Sequence, residues 1–195
     1  MRFRSDIDID FADRSQILSH LKHIKASIHA NDTYTPHATG VYFTDIPTDP
    51  WTNLASLDYK EAEERGYVKV DLLNVHVYDK VRDEEHLLEL MHTEPNWGKL
   101  QHKEFFEQLI HINNHYELMQ LMPEPVNSIP RMAMFLAIIR PGKRHLTGKT
   151  WAEVAKTVWD KPEDDTYYFK KAHAVSYAQL VVVHMNLLSS SSVLE

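Results

Sequence analysis

The chain has no cysteine, only five glycines, and no apolar run long enough to cross a bilayer. Without cysteine there can be no disulfide and no thiolate metal site, which fits a reducing compartment. Gly40, Gly66, Gly98, Gly142 and Gly148 are scattered singly, so neither a dinucleotide fingerprint nor a P-loop can be assembled. The most apolar stretch, Val175 to Leu188, is interrupted by Ser176, Gln179, His184 and Asn186. It falls short of the ~20 apolar residues of a membrane span and reads as a buried helix. The start, Met1-Arg2-Phe3-Arg4-Ser5-Asp6, lacks the apolar segment of a signal peptide, so a soluble, cytoplasmic protein without a membrane partner is expected. Positive charge is also scarce: 21 Lys and Arg stand against 28 Asp and Glu, a net charge of −7. Proteins that grip duplex nucleic acid carry a basic footprint. Any nucleic-acid site here must therefore be local, or another subunit must supply the grip.

What is present is ordinary globular material. The 195 residues are 43% hydrophobic, 25% charged and 10% aromatic, enough for one domain with a sizeable core. Acid and apolar residues alternate over 2–11, a strand with Ile7, Ile9 and Phe11 on one face and Asp6, Asp8 and Asp10 on the other. Ile17, Leu18, Leu21, Ile24 and Ile28 have helical spacing and predict a helix over 15–29. Asn31 to Pro36 reads as a turn-rich break, 39–44 as a second strand and 47–50 as a loop. A helical turn over 60–65 closed by Gly66 precedes a third strand over 67–73. Helices are expected over 75–81, 84–92, 101–112 and 128–139. Another begins at Thr150, where Thr150-Trp151-Ala152-Glu153 has capping-box spacing, and the last covers about 170–188. Residues 189–195 are expected to be a disordered tail.

Three carboxylates at i, i+2 and i+4 of a strand point the same way, and their repulsion requires a compensating cation or base. Two divalent ions clamping the oxygens of a phosphoryl transfer are one use of such a cluster. Magnesium suits it, because that ion takes one or two carboxylates and completes its shell with phosphate and water. An edge strand with a solvated acidic face is the plain alternative. Asp71 adds weight to the metal reading, because a carboxylate inside the apolar run Val68-Lys69-Val70-Asp71-Leu72-Leu73 is costly unless it is paired or ligates a cation. A histidine metal site is a further reading, prompted by 13 histidines and by His111-x-x-x-His115. It is weakened by Asn113-Asn114 and by the missing glutamate of the zinc-protease motif.

Several segments, in order, resemble one family. Asp6-Ile7-Asp8-Ile9-Asp10-Phe11 resembles the D-x-D-x-D-F motif of bacterial C-family replicative DNA polymerases, the alpha subunits of DNA polymerase III. His37-Ala38-Thr39-Gly40-Val41 is similar to their H-A-x-G-V, and Gly66-Tyr67-Val68-Lys69-Val70-Asp71-Leu72-Leu73 to G-L-V-K-x-D-x-L. Ile139-Arg140-Pro141-Gly142 resembles Y-R-P-G, and Tyr167-Tyr168-Phe169-Lys170-Lys171-Ala172-His173-Ala174 resembles Y-G-F-N-K-S-H-A.

The resemblance implies an α+β fold: a polymerase-beta-like nucleotidyltransferase palm, with a small mixed sheet covered by helices. Residues 1–188 would form a single palm-like domain with a reduced, fingers-like helical part over about 75–188. Asp6, Asp8 and Asp71 would be the catalytic, metal-binding carboxylates, holding Mg2+ or Mn2+, with Asp10 in support. Lys69 would neutralise a phosphate or the aspartates. Arg140, Lys143, Arg144, Lys170, Lys171 and His173 would contact nucleotide or nucleic-acid phosphate, while His37 would be structural, fixing the start of its strand.

The family's triphosphate-holding Gly-Ser helix has no counterpart in the five residues before Asp6, and only 24 residues separate Gly142 from Tyr167, where the family has its fingers. The expected function is metal-dependent nucleotidyl transfer in DNA synthesis, with nucleoside triphosphate and DNA as ligands. A second protein would supply the missing triphosphate- and DNA-binding elements. The alternative is a catalytically silent palm-like protein that binds a replication component. So reduced an architecture points to a small replicon such as a phage.

Overall fold

The computed structural model describes residues 7–164 and 166–191. The chain divides into two compact units, Met1–Lys80 and Val81–Glu195. The first is a mixed sheet with short helices, and the second is helical. The fold is therefore α+β, with an open five-stranded sheet.

The sheet unit runs β1 (Ile7–Phe11), α1 (Arg14–His20), β2 (Ile24–Ala30), β3 (Thr33–Tyr42), β4 (Leu54–Asp58), α2 (Tyr59–Glu64) and β5 (Val70–Asn74), ending in a 3-10 turn, His76–Lys80. The strand order is β1-β5-β3-β2-β4. β1 is parallel to β5 and β2 to β4, whereas β3 is antiparallel to both β5 and β2. Ala26, Tyr42, Ile46, Ala55 and Ala62 form a small core, with Ile24, Leu57, Tyr59 and Tyr67 packed against it.

The expected helix over 15–29 is corrected here. It ends at His20, and Ile24 and Ile28 lie on β2. A spacing of four suits a helical turn and also two strand repeats, so those two isoleucines could not distinguish the periods. The expected break at Asn31 to Pro36 is a two-residue hairpin turn followed by strand. Asn31 and Asp32 take φ of 52° and 58°, the left-handed pair that a type I′ turn requires. β5 pairs with β3 only at Gly40 and Val41, so Pro36 sits where no ladder bond is needed on that side. β4 escaped the sequence reading altogether.

The helical unit contains α3 (Glu84–His92), a 3-10 turn at Trp97–Gln101, α4 (Lys103–Phe106), α5 (Tyr116–Gln120), α6 (Ile129–Ile138), a 3-10 turn at Pro141–Leu146, α7 (Trp151–Thr157) and α8 (Lys171–Ser191). The helix expected over 101–112 is thus broken into pieces. His102 is extended at ψ 111°, and His111 takes a left-handed φ of 66°. α8 runs through Ser191, three residues into the expected tail, and 192–195 lie outside the described residues.

α6 is buried at every position from Met132 to Ile138, the pattern of a central helix rather than an amphipathic surface one. It packs against α8, which also packs against α3. The polar residues that interrupt α8 have partners. Asn186 Nδ2 donates to Leu90 O and Thr93 O, both at 2.9 Å, and Gln179 Nε2 donates to Met91 O at 3.0 Å. These bonds satisfy carbonyls at the C-terminal end of α3 that its own ladder leaves open. No described helix is long and apolar enough to cross a membrane. Thr150 caps α7 with the reciprocal Glu153 bonds of a capping box.

His111 is the costly residue of this core. It lies against Tyr177 with ring centroids 4.2 Å apart, and its Nε2 is buried without a hydrogen-bond partner. Burial first, then the Arg140 charge, lower its pKa from 6.5 to about 4. Between those values the unfolded chain carries a proton on His111 that the folded chain does not, so stability falls with falling pH across that window. The slope contributed approaches about 1.4 kcal/mol per pH unit. Urea unfolding at a series of pH values from 7 to 4 is expected to show this loss in the helical unit's tryptophan emission, and His111→Gln should remove about one proton's worth of the slope.

Candidate active site on the sheet

β1 and β5 run parallel in a register that sets Asp8 beside Asp71. Lateral partners in a sheet project to the same face, so the two carboxylates share one. The row continues to Gly40 on β3, the partner of Asp71 on its other side. Asp6 lies outside the described residues.

Asp71 is nearly buried, its side chain 13% exposed, and every partner it has explains how a carboxylate persists there. Lys69 forms an ion pair with Oδ2, and the Thr39 hydroxyl donates to Oδ1 at 2.6 Å. The Lys69 stem reaches Asp71 across Gly40. A Cβ built on that glycine would lie 2.7 Å from Lys69 Cδ, 3.0 Å from His37 Nδ1 and 3.1 Å from Ala26 Cβ. Glycine at 40 is what lets the lysine pass. The Lys69 ammonium also sits 5.9 Å from the centroid of the Tyr59 ring.

His37 holds the backbone of this strand. Its Nδ1 accepts from Gly40 N at 2.9 Å and Thr39 N at 3.3 Å. An acceptor nitrogen carries no proton, so the 3.7 Å approach of Nδ1 to Asp71 is not a charged hydrogen bond. Burial, then the Lys69 charge, lower the His37 pKa against the pull of Asp71, in keeping with a neutral ring. Thr39 is the site residue that the sequence reading missed. Its only sequence signal is its place between His37 and Gly40.

Asp10 lies one strand repeat beyond Asp8. Burial raises its pKa and the Asp8 charge adds to the effect. Tyr78 is raised by burial and then by Asp10. Asp8 and Asp10 thus repel one another along β1.

The remaining expected site residues belong to the helical unit. Lys143 is buried at 5% exposure, and its ammonium donates to Thr157 O at 2.6 Å, at the C-terminal end of α7. It serves as a cap in the interior of the helical unit. Arg144 donates to Ile139 O at 2.8 Å, and the Arg140 guanidinium stacks 4.1 Å from the Phe169 centroid. Lys171 opens α8, with Lys170 just before it and His173 in its first turn. His111 and His115 do not share a helical face, since His115 is the N-cap of α5 and His111 lies in the left-handed turn before it.

Among the described residues no three histidine, aspartate or glutamate side chains form a metal-holding group. Asp8 and Asp71 are the carboxylates brought side by side, and a cation there would need a further ligand. A carboxylate offers about four lone-pair directions. Lys69 and Thr39 take two of those on Asp71. Comparison of the chain with known protein families, curated proteins and solved structures finds no match.

Gly40→Ala is expected to destabilise the sheet unit by about 1–3 kcal/mol, because the new methyl must displace Lys69, His37 or Ala26. Chemical denaturation followed by circular dichroism measures this, and an unchanged midpoint would mean that the lysine does not cross the glycine.

Proposed function

We propose that this chain is a metal-dependent nucleotidyltransferase related to the palm of bacterial C-family replicative polymerases, working in DNA synthesis in the cytoplasm. The observation that carries the reading is the register of Asp8 beside Asp71 on adjacent parallel strands. It agrees with the ligand set implied by the D-x-D-x-D-F and V-K-x-D segments, which adds Asp6. Bound Mg2+ or Mn2+ would supply charge to a transferring phosphoryl group and lower the pKa of an attacking hydroxyl. Asp6, Asp8 and Asp71 would hold it. Thr39 and Lys69 orient the Asp71 carboxylate, and Lys69 balances its charge until a cation arrives. Phosphoryl transfer rests on positioning and electrostatics, so nucleoside triphosphate and DNA must be gripped elsewhere. Arg140, Arg144, Lys170, Lys171 and His173 are the candidates within this chain, and a second protein would complete the grip.

The Lys69 ion pair also favours a second reading, a catalytically silent palm-like protein that binds a replication component. A lysine that satisfies Asp71 makes the metal dispensable for stability.

Titration of Mn2+ into the wild type and Asp8→Asn, with thermal unfolding as a second readout, separates the two readings. A working site should bind Mn2+, gain thermal stability with it, and lose roughly 10–100-fold in affinity in Asp8→Asn. Binding that tightens with a deoxynucleoside triphosphate would extend the case to the substrate. Equal indifference of both proteins to Mn2+ would leave the silent scaffold standing.

A further inference from the structure

A cavity of about 520 Å³ opens on the sheet unit, lined by His23 and Lys25 at the start of β2, Tyr34 and Pro36 on β3, and the 52–54 segment. Its volume is that of a small-ligand site. It is distinct from the row formed by Asp8, Asp71 and Gly40, none of which lines it.

Two kinds of group meet there. The first is positive charge. Between Asp13 and Asp32 the sequence has no acidic residue, yet it carries Arg14, Lys22, Lys25 and three histidines, in a chain whose net charge is −7. Lys22 pairs with Asp45 at 3.2 Å, whereas no described carboxylate pairs with Lys25. His23 Nδ1 lies 2.8 Å from Leu21 O, a contact that requires its proton and leaves Nε2 of the neutral ring as an acceptor.

The second is aromatic surface. Tyr34 is stacked on His29, with ring centroids 4.5 Å apart and planes 13° from parallel, so its ring is held in place. Trp51 does not itself line the cavity, but it precedes Thr52, which does, and is 90% exposed. Its backbone is nonetheless fixed. The Asp49 carboxylate accepts from Trp51 N at 2.7 Å and Thr52 N at 2.9 Å, and Asp49 N bonds to Leu54 O at 2.9 Å. A loop tied this closely presents to water an indole face suited to stacking.

We infer that this cavity binds a planar base carrying a phosphate, as a mononucleotide or as one residue of a single strand. Tyr34 and Trp51 offer faces for stacking, and Lys25 meets the phosphate. Aromatic platforms beside cations are the chemistry of sequence-tolerant single-strand binding. The site does not rest on the catalytic reading, since a silent scaffold could hold a strand equally well.

The test is anisotropy titration of labelled twelve-nucleotide oligothymidylate, with thymidine monophosphate as competitor, against the wild type, Trp51→Ala, Tyr34→Leu, Lys25→Gln and Asp8→Asn. Thermal unfolding checks that each variant is folded; Trp51→Ala and Lys25→Gln alter exposed side chains and should be. Salt-sensitive binding is expected, weakened roughly 5–100-fold by either aromatic substitution and unchanged in Asp8→Asn. Lys25→Gln should also lower the salt slope by about 0.7. Competition by the monophosphate at concentrations close to those of the oligonucleotide would identify a mononucleotide site, and much weaker competition a strand site. Absence of binding by both ligands, or binding indifferent to all three substitutions in the cavity and loop, would overturn the inference.

Discussion

The sheet unit is organised around one buried charge, the Asp71 carboxylate on an interior strand. A carboxylate at that depth must be compensated, and the neighbouring elements meet that demand. Lys69 brings a cation, Thr39 brings a hydroxyl, and Gly40 vacates the space through which the lysine reaches. His37 then pins the backbone that carries Thr39 and Gly40. The segment from His37 to Gly40 and the one from Lys69 to Asp71 are distant in sequence but form one electrostatic arrangement. The β1 register adds Asp8 to it.

Part of this was legible in the sequence. The alternation over 2–11 marked β1, and Asp71 stood out as an acid in an apolar strand. The family resemblance grouped the two segments before any geometry linked them. What could not be read was lateral register, because strand order depends on pairings across the whole unit. The pairing of Asp71 with Lys69 could be anticipated from their i, i+2 spacing. The route across Gly40 could not, since nothing local to Lys69 encodes it. On β2, isoleucines four apart satisfied both helix and strand, and the Asn31-Asp32 turn that decides the matter belongs to a type requiring two left-handed residues.

The helical unit illustrates the opposite relation between polarity and position. Gln179 and Asn186 looked like interruptions of an apolar run, but they are hydrogen-bond donors to the end of α3. Lys143 looked like part of a basic surface cluster, but it is buried on a carbonyl of α7. In each case the need to satisfy helix-terminal carbonyls gives the polar group its place inside.

The acids of β1 also have a bearing on how an edge strand is protected. β1 lies at one end of the strand order, and Ile7 and Ile9 on its other face are 38% and 42% exposed. A short, partly apolar border strand is a template for unwanted pairing, and charged side chains are a common means of discouraging it. Asp8 and Asp10 would set two such borders against each other by like-charge repulsion. Protonating them, or screening them with salt, would remove that safeguard against pairing with copies of the same strand.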